Sequence, residues 1–179
     1  MSQTTQAALP PVDTGKVAER RILRFESLDQ VLAEVERLAE AERAGRLRRL
    51  GNWTLGQALG HLASWAEYSY TGAPLKAPFF VKWFLRLRKR KFLYGPMRAG
   101  VRIPRVPGGT LGTEPMPLEE AALRLRRVME RLKSEAPTAP NVIFGPLKHE
   151  EWIALTLRHA ELHLGFHIPL SDAEGKDHG

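Results

Sequence analysis

The sequence predicts an all-α protein: a four-helix bundle with a long crossover between helices two and three that contains an additional amphipathic helix. Three observations point there. Four segments carry apolar residues at helical intervals over about 16 to 19 residues each, and helices of that length span roughly 24 to 29 Å, the scale of such a bundle. The 47 residues from Thr71 to Pro117 far exceed the roughly 2 to 8 of a simple turn between bundle helices. The chain's 179 residues are one domain's length, enough to bury about 70% of the unfolded surface around a single core.

Residues 1–20 are polar, contain Pro10-Pro11 and lack periodicity, so they are expected to form a mobile arm ahead of a domain at 21–170. Ser27 and Gln30 have capping-box spacing, and Leu28, Val31, Leu32, Val35 and Leu38 then mark a first helix to about Ala44. Gly45 and Gly51 bracket a basic turn. Thr54 and Gln57 repeat the capping signal and start a second helix, to about Tyr70, that contains His61. The crossover opens with KAPFFVKWFLRLRKRKFLYG, where Phe79, Phe80, Trp83, Phe84 and Leu87 share one helical face and Lys82, Arg86 and Lys89 another. Its expected place is over the bundle, basic face to solvent; its Pro- and Gly-rich second half is expected to be loop. Pro117 suits the first helical position and Glu119 and Glu120 suit the dipole of a third helix ending near Ser134, striped by Leu118, Ala122, Leu125, Val128, Met129 and Leu132. Glu150 and Glu151 favour the start of a fourth helix that Pro169 limits. A disordered tail is expected at 171–179.

Composition excludes whole classes of chemistry. The chain has no Cys, so disulfides, thiolate nucleophiles and Cys-based zinc sites are ruled out, and a metal site must use His, Asp or Glu. The start, MSQTTQAALPPVDTGK, lacks the basic and apolar regions of a signal peptide, and no apolar stretch reaches the roughly 20 residues of a membrane span. A cytoplasmic location is the expectation. The net charge of +7 is local: Lys76 to Arg105 holds ten basic residues and no acidic ones, leaving 17 basic against 20 acidic elsewhere. No P-loop, GxGxxG pattern or Ser/His/Asp arrangement can be assembled.

His159 and His163 are spaced i, i+4, about 40° apart on the helical wheel, so their imidazoles can converge on one ion. A metal–nitrogen distance of about 2.0 to 2.1 Å then needs a third ligand from another element, and His61 is the candidate. His61 could equally be a hydrogen-bonded core residue and the pair a surface feature. His167, one turn further, competes for the third place; His149 reads as a helix-start residue and His178 as part of the tail. A metalloprotease is excluded because HEEWI has no second His and HAELH puts Glu161 about 200° around the helix from His159. Glu161 therefore reads as a solvent-facing or outer carboxylate. Gln57 reads as the capping partner, Trp65 as core filler and Trp53 as a helix staple, with a role for each beside a substrate left open.

Two segments, NWTLGQALGHLASW and RHAELHLGFH, resemble the DinB-like, or YfiT-like, metalloenzymes, bacterial four-helix bundles with three-His metal sites. RRILRFESLDQVLAEVERL and FGPLKHEEWIALTLRHAELHLGFHIP resemble a subgroup classified only as a domain of unknown function. The likeness covers roughly residues 15–170 and implies that His61, His159 and His163 are metal ligands and that His167 lies outside the triad. The chain departs from the pattern at Phe166, where many members have Gln. The resemblance further implies metal-dependent hydrolysis or transfer using a low-molecular-weight thiol. Three imidazoles on a divalent ion leave an open coordination position, and zinc and nickel are the leading expectations, with manganese and iron open.

The expected partner is thus a small-molecule substrate, with such a thiol as cosubstrate; nucleic acid is not expected, and a homodimer stays open. The alternative is a non-catalytic metal-binding bundle whose basic amphipathic crossover contacts an anionic membrane or nucleic acid. A further possibility is that Arg98, Arg102 or Arg105 recognises an anionic substrate near the metal.

Overall fold

The fold follows from six helices and one two-stranded pairing in a computed structural model that describes residues 11–76 and 78–171. The helices are α1 (Leu28–Arg43), α2 (Leu55–Thr71), α3 (Phe79–Leu87), α4 (Lys89–Tyr94), α5 (Leu118–Ser134) and α6 (His149–Leu164). The strands β1 (Leu47–Arg49) and β2 (His167–Pro169) pair antiparallel, Arg49 opposite His167. Among the described residues no helix is long and apolar enough to cross a membrane.

The helix starts expected from capping chemistry are where the side chains act. Ser27 Oγ accepts from Gln30 N–H at the start of α1, and Thr54 and Gln57 complete a reciprocal capping box on α2. Pro117 stands one residue earlier than expected: it is the cap with extended ψ of 142°, and Leu118 begins α5. α6 ends at Leu164, five residues before Pro169, and Gly165 follows it, packed on the segment that leads into α1. A Cβ there would lie 2.7 Å from the Arg21 carbonyl oxygen.

α2 is the central element. Leu55, Leu59, Leu62, Ala63 and Ala66 pack with Val31, Leu32, Val35 and Leu38 of α1, with Ala121, Leu125, Val128, Met129 and Leu132 of α5, and with Trp152, Leu157, Ala160 and Leu164 of α6. Burying a leucine side chain of this kind stabilises the fold by roughly 1.5 to 3 kcal/mol. α2 and α5 make the most extensive helix pair, and Gly56 and Gly60 let the segment before α5 lie directly on α2: Cβ atoms at these positions would meet Met116 O at 2.2 Å and Met116 Sδ at 3.4 Å.

Two features depart from the sequence reading. The amphipathic stretch is two helices, broken at Arg88 (φ −107°, ψ 13°). α4 packs on α6, with Leu93 buried and Phe92 against Phe144, but α3 does not cover the bundle: Phe79, Phe80, Trp83, Phe84 and Leu87 are all exposed. The strand pair, which alternation over three residues is too short to signal, ties the α1–α2 connection to the end of α6. Arg21 reinforces it, its guanidinium donating to the carbonyls of His167 and Leu164 while pairing with Glu34 at 2.6 Å. Within the segment expected as an arm, Val12 exchanges two backbone hydrogen bonds with the Asn52 side chain. His178 lies outside the described residues.

Candidate metal centre

The α2 capping box fixes where that helix begins, and His61 falls seven residues after Thr54, on a turn buried against the loop before α5. On α6 the i, i+4 spacing puts His159 and His163 on one face. The two helices pack together and bring the three rings to one point. His159 Nε2 lies 3.1 Å from His61 Nε2 and 3.0 Å from His163 Nε2, and the ring centroids are 4.6 to 4.9 Å apart.

This arrangement suits a cation. His61 Nδ1 donates to the Leu111 carbonyl at 2.7 Å, so the lone pair of neutral His61 sits on Nε2 and faces the other two rings. Without a cation, His159 Nε2 would have to serve both neighbours with one proton. With metal–nitrogen distances of about 2.0 to 2.1 Å, two nitrogens on one ion lie about 2.8 to 3.4 Å apart for angles between a right angle and the tetrahedral value, and the observed contacts fall in that range. His61, His159 and His163 form a group close enough to hold a metal ion.

Burial keeps the imidazoles neutral. It lowers His61 to about 4 against the opposing hydrogen bond to Leu111, and holds His159 and His163 well below the usual histidine value, with the neighbouring histidines adding to the effect. Neutral nitrogen is the ligating form, so proton competition for the site is deferred to acid. The same shifts bear on stability. In the metal-free protein the unfolded chain takes up protons below about pH 6.5 that the folded histidines refuse, so stability must fall as pH drops from about 6.5 towards 4. His61 alone contributes on the order of 3 kcal/mol to that loss. Urea unfolding of chelator-treated protein will show it, and a midpoint unchanged between pH 7 and pH 4 would contradict the burial of these rings as neutral groups.

The surroundings hold the rings in place. Trp53 stacks on His163 with centroids 5.1 Å apart and planes 20° apart, and also touches His61. Trp65 approaches His61 and His159 at 6.1 and 6.0 Å. Both tryptophans, expected as staple and core filler, therefore wall the cluster. Trp53 gets there because Leu50 N–H donates to Phe166 O beside the strand pair, three residues past His163. The loop carrying Leu111 is clamped by Gln57 Nε2 donating to Thr113 O, and by Gly112 (φ +70°), where a Cβ would lie 2.7 Å from Ser64 Cβ. That loop also brings Glu114, an exposed carboxylate whose charge is felt at His61 and Tyr68; nothing in the sequence marked it, because its proximity depends on how the loop folds back.

The other candidates go elsewhere. His167 leaves the helix with β2, is buried, and contacts the His163 carbonyl. His149 Nε2 donates to Leu132 O at 2.6 Å and ties the start of α6 to the end of α5. Of the two places expected for Glu161, solvent-facing or outer carboxylate, the first does not hold: it is buried, accepts from Phe25 N–H at 2.6 Å and pairs with Arg158 at 2.7 Å. Among the described residues, the hydrogen bonds of the triad involve none of Arg98, Arg102 and Arg105.

Fold and site together define a mostly helical protein with a three-His cluster compatible with metal binding. The chain belongs to the family described as Protein of unknown function (DUF1569), whose model matches residues 17–170. No curated protein and no solved structure matches it.

Proposed function

We propose that this chain is a DinB-like four-helix bundle, with its domain at 21–170, acting as a cytoplasmic metal-dependent enzyme on a small molecule by hydrolysis or by thiol-dependent transfer. The observation that carries this is the convergence of three imidazole Nε2 atoms from α2 and α6. His61, His159 and His163 are its ligands, for zinc or nickel ahead of manganese or iron. A divalent ion held there would act as a Lewis acid and lower the pKa of a bound water or thiol.

The chain's own groups supply the rest. His159 and His163 are only half-buried, which leaves one side of the cluster open to a small molecule. Trp53 and Trp65 offer apolar walls beside it. The absence of any cysteine means that a thiol must come from the second substrate.

The test is elemental analysis of untagged protein, followed by reconstitution and a screen of hydrolytic and thiol-dependent model reactions. Near-stoichiometric metal with metal-dependent turnover is expected. Protein that binds no divalent metal on reconstitution overturns the reading.

A further inference from the structure

We propose that α3 is an interfacial helix that seats this protein on an anionic lipid bilayer. The inference is independent of the metal and rests on how the crossover is oriented. An ordinary surface helix turns its apolar stripe to the core. α3 does the opposite for most of its surface. Phe79, Trp83, Leu87, Phe80 and Phe84 occupy an arc of about 140° on the helical wheel, and their exposures run from 51% for Phe84 to 83% for Phe79. Val81 and Leu85, on the other side, are half-buried, as is Lys82 at the edge of the arc. The helix has no fully buried residue.

The helix is nonetheless held. α4, which follows directly, is anchored on α6 through buried Leu93 and the Lys89–Glu151 ion pair at 2.7 Å, and Arg86 lies close to Gly145. An aromatic face fixed outward by an anchored neighbour is a presented surface.

Charge selects the occupant. Lys76 to Arg105 contains ten cations and no anion, and of the six from Lys82 to Lys91 only Lys89 is ion-paired among the described residues. On the wheel Arg86 and Lys82 border one side of the aromatic arc and Arg88, stacked over Phe84 at 5.2 Å, the other. That is the pattern of an in-plane helix, with rings among acyl chains and cations reaching up to anionic headgroups. A twofold contact with a second copy would set like charges against each other. Nucleic acid would be met by the cations, leaving five apolar side chains in water. No described helix can cross a membrane, so the association is peripheral.

The experiment is flotation of the full chain with phosphatidylcholine vesicles, with and without phosphatidylglycerol, at low and high salt. Binding is expected only with phosphatidylglycerol, weakened by salt. Phe80→Ser with Trp83→Ser, and separately Arg90→Glu with Lys91→Glu, should each cut partitioning about tenfold or more. All four side chains are exposed, so the melting temperature and metal content should stay unchanged. No binding to the anionic vesicles overturns the proposal, as does equal binding to neutral ones. A dimer in sedimentation that the Phe80→Ser, Trp83→Ser variant dissociates would assign the face to a second copy. Oligonucleotide binding lost on charge reversal but kept in the serine variant would assign it to nucleic acid.

Discussion

Alanine at His61, His159 or His163 will reduce bound metal from near one ion per chain to background, whereas His167→Ala will leave it in place. Each of the three contributes one Nε2 to a group that, among the described residues, has no fourth His, Asp or Glu within it. Loss of a ligand should exceed the 10- to 100-fold affinity cost typical of removing only an outer partner, so about 100-fold or more is expected. His61 and His159 test different parts of the architecture: the first comes from α2 and depends on the Leu111 loop for its orientation, the second stands between the other two nitrogens. His167 is the discriminating control because it is equally a histidine and as buried as His61, yet is displaced onto β2. Elemental analysis with circular dichroism on each variant decides the matter. Metal retained by folded His61→Ala, or lost from folded His167→Ala, would show that the ligand set is wrong.

How much of this was legible depends on the range of each interaction. α1 and α2 begin where Ser27 and Thr54 say they should, because capping is settled within four residues of chain. The His159–His163 face is equally local, a consequence of helical pitch. His61 stood only as a candidate third ligand until the family resemblance joined it to that pair, since 98 residues separate it from His159 and no local rule reaches so far. Trp53 and Trp65 read as staple and core filler with a place beside a substrate left open for the same reason: what a tryptophan packs against is set by the tertiary fold, which here brings imidazole. The crossover misled in a different way. Its periodicity correctly indicated a helix with an apolar face, but periodicity says nothing about which side faces the bundle. α3 leaves that face in solvent and gives the anchoring to α4.

Glu161→Ala will destabilise the protein by about 3 to 5 kcal/mol, the cost of breaking a buried ion pair and leaving one charge behind. Arg158 is 3% exposed and Glu161 8%, so water cannot replace the lost carboxylate. The carboxylate also accepts from Phe25 N–H and lies 3.8 Å from the Arg24 guanidinium, while Arg158 donates to the Phe25 carbonyl. Together the pair forms a clamp that holds the segment entering α1 against α6. Glu161 lies midway between His159 and His163 in sequence but on the far side of the helix, so the clamp positions the ligand-bearing face from behind without touching it. Glu161→Gln keeps the size and an acceptor for Phe25 N–H but removes the charge, and should cost less than the alanine variant. Denaturant unfolding of both variants, read beside metal content, separates the roles. The expected result is a lowered midpoint with metal retained by whatever remains folded. Metal lost from a Glu161→Ala protein of unchanged stability would move this carboxylate from the clamp to the metal centre.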